Sequence, residues 1–130
     1  MSQTKYKTIL LIDDNEIDNF TNQKLIENAH FATAIQIANS AKEGLDKLKA
    51  AVPDQLPEII FLDIMMPVMD GFQFLDEFEK LPETIRRKCK IIMLSTSESF
   101  KDLNRANKNI YVYKFLNKPL GEAMLNAINI

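Results

Sequence analysis

Four short stretches of the chain are almost wholly apolar, and each runs into polar residues. Thr8-Ile9-Leu10-Leu11-Ile12 ends on Asp13-Asp14, and Ile59-Ile60-Phe61-Leu62 ends on Asp63. Ile91-Ile92-Met93-Leu94 ends on Ser95-Thr96-Ser97, and Ile110-Tyr111-Val112-Tyr113-Lys114-Phe115 leads to Asn117-Lys118-Pro119. Uninterrupted apolar runs of this length suit strands covered on both faces, as in a parallel sheet. Ala34-Ile35-Gln36-Ile37-Ala38 alternates instead, which suits a half-exposed strand at a sheet edge.

Between these runs the periodicity turns helical. From Asn15, the residues Ile17, Thr21, Leu25 and Ala29 fall on one stripe, and the helix ends near His30. His30 reads as a helix-end residue rather than a ligand. Ser40-Ala41-Lys42-Glu43 has the spacing of a capping box, in which hydroxyl and carboxylate each satisfy an orphan N–H. Leu45, Leu48 and Val52 continue the face begun at Ala41, and Pro53 and Pro57 punctuate the loop that follows. Asp70 can cap a third helix with apolar face Phe74, Phe78 and Leu81, Gly71 allows a tight turn before it, and Pro82 ends it. Arg86-Arg87-Lys88-Cys89-Lys90 reads as a solvated basic connection. A short helix over Ser99 to Asn107 and a last one around Leu125 and Ile128 complete the series. Five strand signals alternating with five helix signals predict an α/β fold with a parallel sheet and right-handed crossovers.

Composition narrows the classes. The chain has 130 residues, 46% hydrophobic and 26% charged, which fits one globular domain. A net charge of -2 argues against nucleic-acid binding by bulk electrostatics. The lone Cys89 permits no internal disulfide and suits a reducing compartment. No apolar run reaches membrane-spanning length, and no apolar segment of a leader follows Met1-Ser2-Gln3-Thr4-Lys5, so the expectation is a cytoplasmic protein with no membrane attachment.

The chemistry gathers at strand ends. In a parallel sheet all carboxyl ends share one edge, where ligands bind in open α/β folds. That edge would collect Asp13, Asp14, Asp63, Ser95 and Lys118. Carboxylates packed together repel, and one would have its pKa raised without a compensating cation. A hard divalent cation such as Mg²⁺ suits one or two carboxylates with waters and phosphate oxygens. Lys118 supplies a mobile point charge and Ser95 a hydroxyl. Such a site lets one carboxylate act as a nucleophile while the others stabilise phosphoryl charge.

These residues, in this order and on these element ends, resemble the receiver domain of two-component response regulators. The residues are Asp13-Asp14, then Asp63-Ile64-Met65-Met66-Pro67-Val68-Met69-Asp70-Gly71, then Ser95, and finally Lys118-Pro119. The resemblance covers nearly the whole chain and implies a flavodoxin-like, doubly wound five-stranded sheet of order 2-1-3-4-5 with helices on both faces. It implies that Asp63 is the phosphoacceptor and that Asp14 holds Mg²⁺ directly and Asp13 through water, with the Met65 backbone carbonyl completing the protein's ligands. Ser95 and Lys118 would bind phosphoryl oxygens, Lys118-Pro119 would be a cis peptide, and Phe115 would be the switch aromatic, though a plain core aromatic fits that position equally. The phosphoryl donor would be a sensor histidine kinase or a histidine phosphotransfer protein.

Residues 1–130 would then form a single receiver domain without an output domain. Signalling would pass through a phosphorylation-dependent surface from about Ser99 to Ile130 to an unknown protein, the chain being a monomer or a phosphorylation-dependent dimer. Ser95 stands where Thr is more frequent, Thr96 where a smaller residue is common, and Met65 is apolar. Met65 and Thr96 are expected to exclude water from the acyl phosphate and slow its hydrolysis. A pseudo-receiver is the binding-class alternative, but no acid is lost and Lys118 is present. A haloacid-dehalogenase-like phosphatase is the enzyme-class alternative, but Asp63-Ile64-Met65 lacks that family's second acid.

Overall fold

Alternate residues of the apolar runs face opposite sides of one sheet, and this divides the core in two. Leu10, Ile12, Ile60, Leu62, Ile91 and Met93 belong to one cluster, and Ile9, Leu11, Ile59, Phe61, Ile92 and Leu94 to the other. The structure is a computed structural model and describes residues 4–96 and 100–129. Its strands are β1 (Tyr6–Ile12), β2 (Ala32–Ala38), β3 (Ile59–Asp63), β4 (Lys90–Ser95) and β5 (Val112–Asn117). All pair in parallel, in the order β2-β1-β3-β4-β5. The helices are α1 (Glu16–Asn28), α2 (Ala41–Ala50), α3 (Gly71–Phe78), α4 (Glu83–Lys88), α5 (Phe100–Asn107) and α6 (Glu122–Asn126), with a 3-10 turn at Pro53–Gln55. Buried residues of α2, α3, α4 and α5 join the first cluster, whereas Ile26 of α1 and Leu125 of α6 join the second. This is the flavodoxin-like order that the resemblance implies.

Several details differ from the sequence reading. The buried side of α1 is Asn19, Asn22 and Ile26, while Ile17 is 75% exposed and Thr21 is also on the surface. Two amides face inward, and Asn19 closes the strand-end loop: its Nδ2 donates to the Asp13 carbonyl (2.9 Å) and to Asn39 Oδ1 (3.2 Å). Apolar periodicity is blind to a helix that buries polar groups. The helix ends at Asn28, near His30 as expected, and His30 has φ 52°; its N–H donates to the Glu27 carbonyl and that of Phe31 to the Ile26 carbonyl, a Schellman closure.

Ser40 caps α2 by accepting from the Glu43 N–H, but Glu43 Oε2 accepts from the Asn39 N–H instead of that of Ser40. The complete capping box is at α3, between Asp70 and Gln73. Val52 lies beyond α2 and is exposed. The basic cluster is no solvated connection. Its first residues form the extra helix α4, and Arg86 donates to the Leu81 carbonyl (2.7 Å) and the Tyr111 hydroxyl (3.2 Å). Cys89, which follows α4, is buried in the first cluster. The last strand begins at Val112 rather than Ile110, whose side chain is exposed. The expected start of α5 at Ser99 lies outside the described residues.

Candidate functional site

Four chain segments bring their ends together at the carboxyl edge. After β1, the Asp13 N–H donates to the Ala38 carbonyl (3.2 Å), and Asp13 Oδ1 accepts from the Asn15 N–H (3.0 Å). Asn15 then caps α1, its Oδ1 accepting from the N–H groups of Ile17 and Asp18. This local turn leaves Asp13 buried and Asp14 exposed. Asp63 ends β3 and is buried; the next residue, Ile64, donates its N–H to the Leu94 carbonyl. Gly71 lies against this strand end: a Cβ there would stand 2.8 Å from the Asp63 carbonyl oxygen and 2.9 Å from Ile64 Cα. Close approach, rather than a tight turn, is therefore what Gly71 provides. The left-handed residue of the loop is Val68, with φ 69°.

Ser95 ends β4 fully buried, and its carbonyl accepts from the Lys118 N–H (2.8 Å). That bond places Lys118, just past β5, with its side chain only 11% exposed. The Lys118-Pro119 peptide is cis, as the resemblance implies. Lys118 Nζ lies 2.6 Å from Asp13 Oδ2, 3.0 Å from Asp63 Oδ1 and 3.0 Å from Asp18 Oδ2.

The electrostatics follow from this packing. Burial and the neighbouring Asp13 push the Asp63 carboxyl up to about 6, although its bond to Lys118 works in the opposite direction. Lys118 is itself penalised by burial, but its hydrogen bonds to Asp13, Asp18 and Asp63 win and raise its pKa above the ordinary lysine value. Asp13, Asp14 and Asp63 each offer a carboxylate oxygen, and these atoms lie within 4.8 Å of one another. Three hard oxygen donors, one of them driven toward its neutral form by burial and by its acidic neighbours, fit a divalent cation that would relieve the repulsion.

Of the residues singled out in the sequence, Asp13, Asp14, Asp63 and Lys118 converge, and Ser95 joins them through the backbone of Lys118. Met65 lies on the β3–α3 loop with its side chain 66% exposed, and Phe115 is half-buried against the first core cluster. Asp18 was not anticipated. An acid in the first turn of a helix is ordinarily read as complementing the helix dipole. Only its place one turn past Asp14, on the side facing Lys118, distinguishes it. Beside these groups lies a cavity of about 290 Å³ whose lining includes Asp18, Thr21, Asn22, Thr96 and Lys118.

The family model described as "Response regulator receiver domain" matches residues 9–129. The chain belongs to the response regulator receiver family. It is 31% identical over 114 residues to the probable methanogenesis regulatory protein FilR2 of Methanothrix harundinacea, covering 86% of this chain and 72% of that one. Among solved structures it is similar to a two-component response regulator from Cytophaga hutchinsonii, with 31% identity, a TM-score of 0.85 and coverage of 95% of this chain and 93% of the other. A response regulator receiver protein from Dyadobacter fermentans gives 30% identity, a TM-score of 0.83 and coverage of 92% and 91%. The chain spans less than half the length of several other curated relatives that it matches.

Membership places this receiver in two-component signalling and implies a histidine kinase or phosphotransfer protein as partner. Receiver domains typically bind Mg²⁺ through an acidic cluster, and Asp13, Asp14 and Asp63 form such a cluster here. No helix among the described residues is long and apolar enough to cross a membrane.

Proposed function

We propose that the chain is a cytoplasmic response-regulator receiver that accepts a phosphoryl group on Asp63 from a histidine kinase or histidine phosphotransfer protein. The observation that carries this reading is the position of Asp63 Oδ1, 3.0 Å from Lys118 Nζ and inside the acid cluster with Asp13 and Asp14. An Asp63 carboxylate oxygen attacks phosphorus, the bond from phosphorus to the donor breaks, and an acyl phosphate remains on Asp63. The donor leaves with the electron pair of the broken bond. Asp14, Asp13, Asp63 and the Met65 carbonyl would hold Mg²⁺, which when bound neutralises charge on the transferring oxygens. Lys118 takes a phosphoryl oxygen through its ammonium, and the Ser95 hydroxyl takes another. The reaction is one modification of the chain itself, so the protein acts as a phosphoacceptor and not as an enzyme on a separate substrate.

Output by this reading is a surface formed by α5, β5 and α6, with Phe115 as its switch aromatic. Exposed Phe100, Ile110 and Tyr113 give that surface apolar contacts for a protein partner or for a second, phosphorylated copy. Acetyl phosphate with Mg²⁺ should add one phosphoryl group, seen by intact mass. Asp63→Asn or EDTA should abolish the addition, and equal labelling of the Asn variant would refute the assignment. Lys118→Ala should keep the fold yet lose the change in amide spectrum that beryllofluoride produces in the parent.

A further inference from the structure

All three N–H donors of Lys118 can be matched to carboxylates, and the three acceptors are not equivalent. Asp13 and Asp63 belong to the acid cluster, whereas Asp18 projects from the first turn of α1 and is no member of it. When the cluster holds a cation, Asp13 is drawn to that cation, and when Asp63 is modified its oxygen leaves the pair. Asp18 alone keeps its full charge and its hold on Lys118 once the cation is bound, so it is the competitor for the ammonium that an incoming phosphoryl group meets. It is also the most accessible of the three, 39% exposed against 5% for Asp13 and 7% for Asp63. Asp18 lines the cavity shared with Thr21, Asn22 and Thr96, and its partly exposed carboxylate can hydrate when Lys118 departs.

We propose that Asp18 is a latch on Lys118, a positioning residue that the incoming phosphoryl group must displace. The inference rests on the phosphoacceptor reading of Asp63. A phosphoryl dianion needs the ammonium that Asp18 engages, and Asp18 adds a like charge beside the place where that dianion must settle. Asp18 therefore raises the threshold for modification and keeps the unmodified site closed. Removing its charge frees Lys118 for the phosphoryl oxygens.

The test compares the parent with Asp18→Asn, Asp18→Ala, Asp18→Glu and Glu16→Gln, the last removing an exposed charge from the same turn of α1. Two quantities are read at fixed Mg²⁺, pH and ionic strength: the rate of labelling by acetyl phosphate and the beryllofluoride concentration that half-saturates the amide-spectrum change. Both neutral variants should label about threefold faster and bind beryllofluoride about threefold tighter, the scale of one accessible ion pair. Asp18→Glu should return both values to those of the parent. Glu16→Gln should leave them unchanged. Neutral variants that label at the parent's rate or more slowly overturn the latch, because a lost metal ligand or a lost orienting contact would act in that direction. An equal gain in Glu16→Gln overturns it too, by showing that bulk charge suffices. A parent that takes no label, or that labels equally as Asp63→Asn, refutes instead the phosphoacceptor reading on which the latch depends.

Discussion

β3 and β5 each deliver a charged residue to the same edge of the sheet, but they are built differently. β3 is paired on both sides in unbroken register, and all five of its residues are buried. β5 lies at the sheet edge, pairs only with β4 across a register shift between Ile91 and Ile92, and has no fully buried residue. Asp63 is therefore fixed by packing on two faces, whereas Lys118 is placed by one backbone bond to Ser95 and by its ion pairs. The proposed phosphoacceptor sits on the firm strand, and the groups that would respond to its modification sit on the looser one. A switch built this way can change at β5 without disturbing the geometry at β3.

The contrast predicts unequal costs for the two strands. Phe61→Ala should lower stability by about 3–5 kcal/mol, the range for a fully buried aromatic, and Phe115→Ala by about half that or less. Denaturant unfolding of both variants measures the difference, and equal losses would erase the distinction. Asp63→Asn tests the charge that the firm strand tolerates. Burial and Asp13 hold the Asp63 carboxyl at about 6 in the fold, against an ordinary value of 3.8. The folded state thus favours the protonated form, so that stability is present below pH 3.8 and is lost as pH rises through about 6. In EDTA the Asn variant should be more stable than the parent by about 2–3 kcal/mol at pH 8, with the gap closing toward pH 4. A gap independent of pH would contradict this account, and Mg²⁺ should stabilise the parent more than the Asn variant.

Gly71→Ala should cost about 2 kcal/mol, because its methyl meets the Asp63 carbonyl and the Ile64 backbone, neither of which can swing aside. A neutral result in thermal melts would mean that the end of β3 yields as easily as β5. The smallest effect is expected in the loop between β3 and α3. Val68 is fully exposed with φ 69°, so Val68→Gly should gain about 0.5–1 kcal/mol, strain relief exceeding the entropy cost of glycine. A loss of stability would show that the side chain of Val68 makes a contact of its own.

The same contrast explains what could be read from the sequence. β3 and β4 are buried on both faces, so their apolar runs mark them to within a residue, and the carboxylate or hydroxyl ending each run marks the edge. β5 mixes exposed and half-buried positions, so its apolar pattern does not distinguish it from Ile110 and Tyr111, which form the turn before it. The site residues Asp13, Asp14, Asp63 and Lys118 were legible because each follows a strand signal. Asp18 was not, since its role depends on how α1 is rotated, and inward-facing Asn19 and Asn22 set that rotation against the apolar stripe. Likewise, Arg86 is held by a tyrosine hydroxyl far along the chain, a contact that no local charge pattern reveals.

Cys89 is 2% exposed, and burial pushes its thiol up to about 12. The thiolate is the form that attacks alkylating reagents, so in the closed fold this sulfur reacts poorly. Its modification then requires the junction of α4 and β4 to open, and the rate at mildly alkaline pH becomes a clock for that opening. A cysteine introduced on the surface could carry a fluorophore while Cys89 stays unmodified. One chain would then report its outward response through the dye and its internal breathing through the native thiol.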